Sequence, residues 1–304
     1  MRVTNTMLIR TMMLNLNSNL ARMDKVQQQM ATGKKIRVPS DDPIIAARAL
    51  KFRTDVAEIE QFQKNTSDAM SWLEVTETAL ANMGDVLQRA RELTVQASNG
   101  TLTDEDRQKI KAELGQLKQS IVEIGNTTYA GRYIFAGFKT DTAPFAVDGA
   151  GNLTYQGSAV NSAPTGQEIF YEISVGNRMQ VNVEGYKLFW DGTDERIFKT
   201  FTDLEAAIDS GDQAQINSCI EKFDRDMNQL LTIRADVGGR MNYIELTENR
   251  LQDDYVNFTS LMSKNEDVDM AEVIMRLKSE ENVYRASLSA GARIIQPTLV
   301  DFLR

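Results

Sequence analysis

The 304-residue sequence has no histidine, a single cysteine (Cys219) and only five prolines. Without histidine there can be no Ser-His-Asp triad, no imidazole acid–base pair and no histidine metal site. One cysteine excludes an internal disulfide and any cysteine-cluster metal site. Cys219 sits beside Ile220 in an apolar helical pattern, which predicts a buried, inert thiol. Long apolar runs are missing too, so no helix is expected to span a bilayer. Near the N-terminus Arg10, Asn15 and Asn17 interrupt what would be the apolar part of a signal peptide, and no cleavable signal is expected. Positive charge is in deficit: 34 Lys+Arg stand against 43 Asp+Glu, a net charge of −9. A nucleic-acid partner would call for the opposite balance.

The prolines are Pro39, Pro43, Pro144, Pro164 and Pro297. Proline breaks helix interiors, so the proline-free stretches from Ile44 to Ala143 and from Thr165 to Gln296 leave room for very long helices. Hydrophobic periodicity argues that such helices form. Ile9, Leu16, Met23 and Met30 recur every seven residues from Met7 to Met30, with Met13 and Leu20 as a second row. Gly33 is placed to end this helix. Ser40, Asp41 and Asp42 are candidate caps for the next one, with Pro43 in its first turn. That helix is expected to run to about Ser98 on a stripe of Phe52, Val56, Ile59, Leu73, Leu80, Met83, Leu87 and Ala90, with Asn99-Gly100 as its stop. Thr103 restarts a helix whose seam is Ile110, Leu114, Leu117, Ile121 and Ile124.

At Gly131 the pattern changes. Tyr133-Ile134-Phe135 reads as a short strand. Phe145–Val147 with Leu153–Tyr155, and Ile169–Val175 with Met179–Val183, read as hairpins. Helix resumes from about Ile197 to Asp209. A longer one follows on Ile216, Ile220, Phe223, Met227, Leu230, Val237, Met241, Ile244, Leu251, Tyr255, Phe258 and Met262, a series interrupted by Arg234 and Glu248. A last helix carries Met270, Ile274, Leu277, Tyr284, Leu288 and Ile295.

The expected fold is mainly α. N- and C-terminal segments form a long antiparallel coiled-coil rod carrying a small β-rich insert. Three parts are expected: residues 1–42 with 265–304 as a terminal helical domain, 43–137 with 193–264 as the helical rod, and 138–192 as the insert. The two terminal helices each offer a narrow apolar seam, and isolated amphipathic helices are marginal in water. They are therefore expected to order on self-assembly or partner binding. The residues expected to carry assembly contacts are Ile9, Leu16, Met23, Met30, Ile274, Leu277, Tyr284, Leu288 and Ile295, by helix-in-groove packing. Gly238-Gly239 and the linker from Gly33 to Ser40 are expected to be compliant points.

No catalytic motif accompanies these seams. Gly33-Lys34 lacks the upstream glycine of a phosphate-binding loop, since Gln28 holds that place and Lys35 replaces Ser/Thr. No Gly-x-Ser-x-Gly elbow occurs. Asp191-Gly192-Thr193-Asp194 is turn chemistry without the spacing of a calcium loop. The adjacent acidic residues read as helix caps and solvated faces. An enzyme, a cofactor and a metal are not expected.

Several segments together resemble the bacterial flagellin-like axial proteins. They are Met1-Arg2-Val3-Thr4, then Met30-Ala31-Thr32-Gly33-Lys34-Lys35-Ile36 with Pro39-Ser40-Asp41-Asp42-Pro43, then Arg91-Glu92-Leu93-Thr94-Val95-Gln96-Ala97 followed by Asn99-Gly100-Thr101, and the Leu303-Arg304 ending. Within that family, Pro39–Pro43 and Gly131-Arg132-Tyr133-Ile134-Phe135-Ala136-Gly137 are most similar to subunits at the junction of hook and filament. The resemblance implies an extracellular structural protein of the flagellum, exported unfolded by the type III route without a cleaved signal. It implies terminal helices in an inner tube and a β insert facing outward. The partners implied are the first hook-associated junction protein, flagellin, further copies of the chain in a ring, and an export chaperone on about Val268 to Arg304.

Overall fold

The computed structural model describes residues 5–99, 103–149, 151–190, 192 and 195–295. The Met1–Thr4 and Leu303-Arg304 motifs, Gly100-Thr101, Pro297 and most of the Asp191–Asp194 turn lie outside them. The described chain is mainly helical. Helix α1 is Asn5–Thr32, α2 Pro43–Ala97 and α3 Asp104–Gly125. Seven short strands follow: β1 (Thr128–Tyr129), β2 (Arg132–Tyr133), β3 (Phe145–Val147), β4 (Leu153–Tyr155), β5 (Ser158–Ala159), β6 (Phe170–Ser174) and β7 (Asn177–Gln180). Then come α4 (Tyr186–Phe189), α5 (Phe198–Ser210), α6 (Gln213–Glu266) and α7 (Met270–Ile295). No described helix is long and apolar enough to cross a membrane.

Local chemistry sets the helix ends. Gly33 takes the left-handed conformation (φ +69°), and its N–H donates to the Gln29 carbonyl at 2.9 Å, closing α1. Of the three candidate caps before α2, Asp42 does the capping: its Oδ1 accepts from the Ile44 and Ile45 amides at 3.0 and 3.1 Å. Asp41 turns back and accepts from the Arg37 and Val38 amides, which holds its carboxyl below the usual range. Thr103 caps α3 by accepting from the Asp106 amide.

The chain divides into two compact units, Ile59–Asp253 and Met1–Glu58 with Asp254–Arg304. They are called the central and terminal units below. The boundaries fall inside α2 and α6.

The central unit holds one continuous apolar core. Leu73, Leu80, Met83, Leu87 and Ala90 of α2, Leu114 and Ile121 of α3, Phe201 and Leu204 of α5, and Phe223, Val237 and Ile244 of α6 are all inaccessible or nearly so. Ion pairs flank it. Arg91–Asp224 and Arg234–Glu77 join α2 to α6, and Lys118–Glu205 joins α3 to α5. Phe145 stacks edge-on against Phe189 (4.8 Å between centroids), and Phe201 against Phe223 (5.2 Å).

All three small sheets are antiparallel: β1-β2, β3-β4-β5 and β6-β7. The β3–β4 hairpin has the residues expected for it. Three other features differ from expectation. Tyr133-Ile134-Phe135 is not a strand; pairing ends at Tyr133, and Ile134 and Phe135 turn inward and are fully buried. Ala130 and Gly131 close that hairpin with positive φ at both positions. The Phe135 carbonyl instead accepts from the Gly185 amide at 3.1 Å and the Tyr155 hydroxyl at 2.9 Å. Burial pushes the Tyr155 phenol up to about 12. A side chain at Gly185 would collide with that same carbonyl, so the approach needs glycine.

The second difference is in β6–β7, which turns at Val175-Gly176, so that Val175 leaves the first strand and Asn177 and Arg178 join the second, with Gly176 at φ +71°. The third is that α4, β1 and β5 were not anticipated. At four and two residues they are too short to carry a period.

The seam of α6 is also shifted in part. Ile216, Phe223, Leu230, Val237, Ile244 and Leu251 are buried as expected. Their alternating partners are Cys219, Asp226 and Thr247, while Ile220 and Met227 are only half-buried. Asp226 is admitted because its Oδ2 accepts from the Thr200 hydroxyl at 2.6 Å; burial raises its carboxyl above the ordinary value. Burial likewise raises the Cys219 thiol. Helix α6 runs unbroken through Gly238 and Gly239.

Candidate assembly interface

In the terminal unit α1 and α7 lie antiparallel. Successive contacts link Met12 with Gly291, Asn19 with Ser287, and Arg22 with Glu280. On α1 the inward positions are Ile9, Met12, Leu16, Asn19, Met23, Val26 and Met30, alternating steps of three and four. All but Asn19 are half-buried; Asn19 is 8% exposed. On α7 the inward positions are Val273, Leu277, Glu280, Tyr284, Ser287 and Gly291. Gly291 leaves room for the Met12 terminal methyl, which a Cβ would overlap.

The predicted residues therefore separate. Ile9, Leu16, Met23 and Met30 line the seam on α1, as do Leu277 and Tyr284 on α7. Of the second row expected on α1, Leu20 is half-buried but Met13 is 47% exposed, and Met12, Asn19 and Val26 complete the inward face. Ile274 and Leu288 point to solvent. Ile295 ends α7, and its side chain lies outside the described residues.

Solvent-facing apolar side chains are concentrated on this unit. Met7, Leu8, Met13 and Leu14 on α1, with Met270, Ile274, Met275, Val283 and Leu288 on α7, are all exposed. Scattered exposed apolar residues are ordinary, whereas apolar patches are in general a feature of interaction surfaces.

Periodicity gave no sign of an ionic clasp at the base of this helix pair. Lys34 and Asp267 form an isolated antiparallel bridge. The Lys35 amide donates to the Glu266 carbonyl at 2.6 Å, and the Val268 amide to the Gly33 carbonyl at 3.0 Å. Lys34 Nζ lies 2.6 Å from Asp267 and 3.3 Å from Glu266, and Arg53 Nη2 lies 2.7 Å from Glu266. Glu266 is 2% exposed. Burial alone would raise its carboxyl, but hydrogen bonds from Arg53 and Lys34 outweigh that and leave it below its ordinary value. The hydrogen bond with Lys34 also lowers the Asp267 carboxyl, and the same bond raises Lys34. The signal in the sequence was the alternation of Lys34-Lys35 with Glu266-Asp267, legible only once the two turns are known to meet.

Among the described residues no group of three or more Asp, Glu or Cys could hold a metal.

Comparison with known proteins gives the family. Residues 3–140 match the bacterial flagellin N-terminal helical region and residues 220–303 the bacterial flagellin C-terminal helical region. The chain is 29% identical to flagellar hook-associated protein 3 of Escherichia coli, over 95% of this chain and 96% of that protein. It is also 29% identical to flagellin of Bacillus subtilis, over 97% of each. Among solved structures it resembles FlgL of Bacillus cereus at 27% identity and a TM-score of 0.58, covering 70% of this chain and 99% of that one.

Proposed function

This chain belongs to the bacterial flagellin family of structural flagellar proteins, and we propose that within the flagellum it is the adaptor joining hook to filament. The observation that carries the junction reading is the segment Gly131–Gly137. With Pro39–Pro43 it is one of the two segments that resemble junction subunits, and in the fold it anchors the insert. Ile134 and Phe135 fill the central core, and the Phe135 carbonyl ties β4 and α4 to it.

The assembly element we assign is residues 1–42 with 265–304. Residues 43–137 with 193–264 form the supporting helical domain, and 138–192 an insert facing outward. Ile9, Leu16, Met23, Met30, Leu277 and Tyr284 hold α1 to α7, while Ile274 and Leu288 meet neighbours; Ile295, whose side chain lies outside the described residues, stays an expected assembly contact. Exposed apolar side chains on both helices support this division. The neighbours would be further copies of the chain in a ring, the first hook-associated junction protein on one side and flagellin on the other. Before assembly, the exposed face of α7 suits an export chaperone bound over Val268 to Arg304. The chain would leave the cell unfolded through the flagellar export channel, a route that a single buried cysteine and no disulfide leave open. The role is non-enzymatic.

Deletion of this chain from its host should leave hooks intact and flagellin exported, with no filament. Restoring it should restore filaments. Purified filaments built mainly of this chain would identify it as flagellin, a reading that the match to the Bacillus subtilis protein keeps in view. Chains lacking residues 1–32 or 270–304 should fail to support filament growth; growth with either would remove the assembly role from these helices.

A further inference from the structure

The N-terminus of α5 carries charge of the unfavourable sign. Arg196 and Lys199 flank its start, Ile197 has no polar side chain to cap it, and its first turn holds no acidic residue. Positive side chains there add to the positive end of the helix dipole instead of offsetting it. Beside this helix end, within the central unit, lies a cavity of about 160 Å³. Arg196 and Lys199 line it, and so do Lys222 and Arg225 of α6. Lys222 is paired with Asp203. Lys199 and Arg225 are exposed, which leaves the cavity a way in from solvent. The most buried residue of its lining is Asp226, 1% exposed. Asp226 Oδ2 accepts from the Thr200 hydroxyl at 2.6 Å, whereas Oδ1 is buried without a hydrogen-bond partner among the described residues. With Oδ2 committed, Oδ1 is the oxygen that Asp226 offers to the cavity. A buried carboxylate oxygen with no donor is costly, and natural proteins rarely leave one so.

We propose that this cavity binds free inorganic phosphate, with the cations and the α5 N-terminus holding the anion and Asp226 Oδ1 accepting a hydrogen bond from its P–OH. Two demands have to be met together. The basic side chains and the helix end call for an anion. The carboxylate oxygen calls for a hydrogen-bond donor. A water molecule donates to Oδ1 but leaves the positive charge unanswered. Sulfate answers the charge, but near neutral pH it has no proton to give, and its oxygens would face Oδ1 as one acceptor against another. Inorganic phosphate near neutral pH always keeps at least one P–OH and meets both demands. A phosphomonoester loses its last proton above a pKa of about 6 and then behaves as sulfate does. The charge balance of the lining agrees: four cations against Glu195, Asp203 and Asp226 leave one positive charge over. Burial raises the Asp226 carboxyl, and a donor on Oδ1 offsets part of the cost of keeping it ionised. Occupancy ties the start of α5 to α6 and stabilises the central unit by mass action. The site depends neither on the flagellar reading nor on the state of the terminal helices.

The test is calorimetric titration of the full chain with inorganic phosphate, sulfate and O-phosphoserine in turn, at slightly alkaline pH and constant ionic strength. Phosphate should bind at one site per chain, at least about ten-fold more tightly than either of the others, because it alone donates to Oδ1. Asp226→Asn keeps an acceptor for Thr200 and turns an amide N–H toward the cavity. That variant should weaken phosphate and admit sulfate, shifting their ratio by at least about ten-fold. Arg225→Gln, at an exposed position, should weaken phosphate while leaving its preference over sulfate in place. Fluorescence of Trp72 and Trp190, both in the central unit, reports whether each variant has folded. Should Asp226→Asn not fold, the selectivity of the unmodified chain and the loss in Arg225→Gln decide the matter. No binding at millimolar phosphate would overturn the proposal. Equal binding of sulfate or O-phosphoserine would do the same, as would full phosphate affinity in Arg225→Gln or an unchanged preference in a folded Asp226→Asn.

Discussion

The two units use the same helical grammar to opposite ends. In the central unit the seams of α2, α3, α5 and α6 converge with an aromatic-rich insert, and side chains such as Leu80, Phe135, Phe201 and Phe223 lose all contact with water. In the terminal unit the buried apolar residues among those described are Ala49, Val273 and Leu277. Its other apolar side chains are half-buried in a two-helix seam or face solvent. A seam shared by two helices covers one stripe of each, whereas four helices and an insert enclose a volume. The central unit is thus finished as a folded body, while the terminal unit keeps apolar faces available. That difference suits a chain that has to fold by itself and then assemble.

Substitutions can break or sharpen this contrast. The largest effect is expected at Phe135. Phe135→Ala should destabilise the central unit by about 3–5 kcal/mol, read by urea unfolding with tryptophan fluorescence. A loss below about 1 kcal/mol would mean that the insert is not anchored there. Leu277→Ala removes one of the few buried side chains of the terminal unit. It should cost about 2 kcal/mol, the low end for buried leucine, because a thin seam relaxes around the gap. The loss should show as terminal-helix circular dichroism without moving the tryptophan transition. Limited proteolysis should agree, trimming both ends of the unmodified chain first and leaving a resistant fragment between about Asp42 and Lys264.

A smaller effect of opposite sign is expected in α6. Gly238 and Gly239 are helical, and a Cβ at either would meet open space. Replacing both with alanine should stabilise the helix by about 1 kcal/mol each and slow local amide exchange. Unchanged exchange would show that the pair is not a compliant point.

The smallest effect should come from the clasp. The Glu266 and Asp267 carboxyls sit below their ordinary values of 4.5 and 3.8 in the folded chain. Their contribution is therefore complete at neutral pH. It shrinks as pH falls below those values and is gone once both are protonated. Glu266→Gln should remove the glutamate part of that acid dependence. At neutral pH it should cost below about 1 kcal/mol, because Arg53 and Lys34 are well exposed to water. Melting the terminal helices from pH 7 to pH 3 checks both the sign and the window.

Much of the fold could be read from local pattern. Gly33, Asp42 and Thr103 act at helix ends through bonds to residues a few positions away, and the Phe145–Tyr155 hairpin pairs as its alternation indicates. The candidate interface was legible only by half. The row Ile9, Leu16, Met23 and Met30 faces inward, but its companion row was sought among apolar residues. Met13 was chosen where the fold seats Met12 and Asn19. The same displacement occurs in α6, where Asp226 and Thr247 hold places that apolarity assigned to Met227 and left empty at Glu248.

By itself, then, the sequence determined that this chain is helical at both ends, that its helices are long, where most of them stop, and that a small β insert interrupts them. These outcomes depend on periodicity and on capping, which act within a few residues. Tertiary structure decided which polar side chains are buried, which face of each terminal helix is inward, and where the clasp closes. A polar residue can enter a seam only when a partner satisfies it. The partner of Asn19 is 268 residues away at Ser287, and that of Lys34 is 233 away at Asp267.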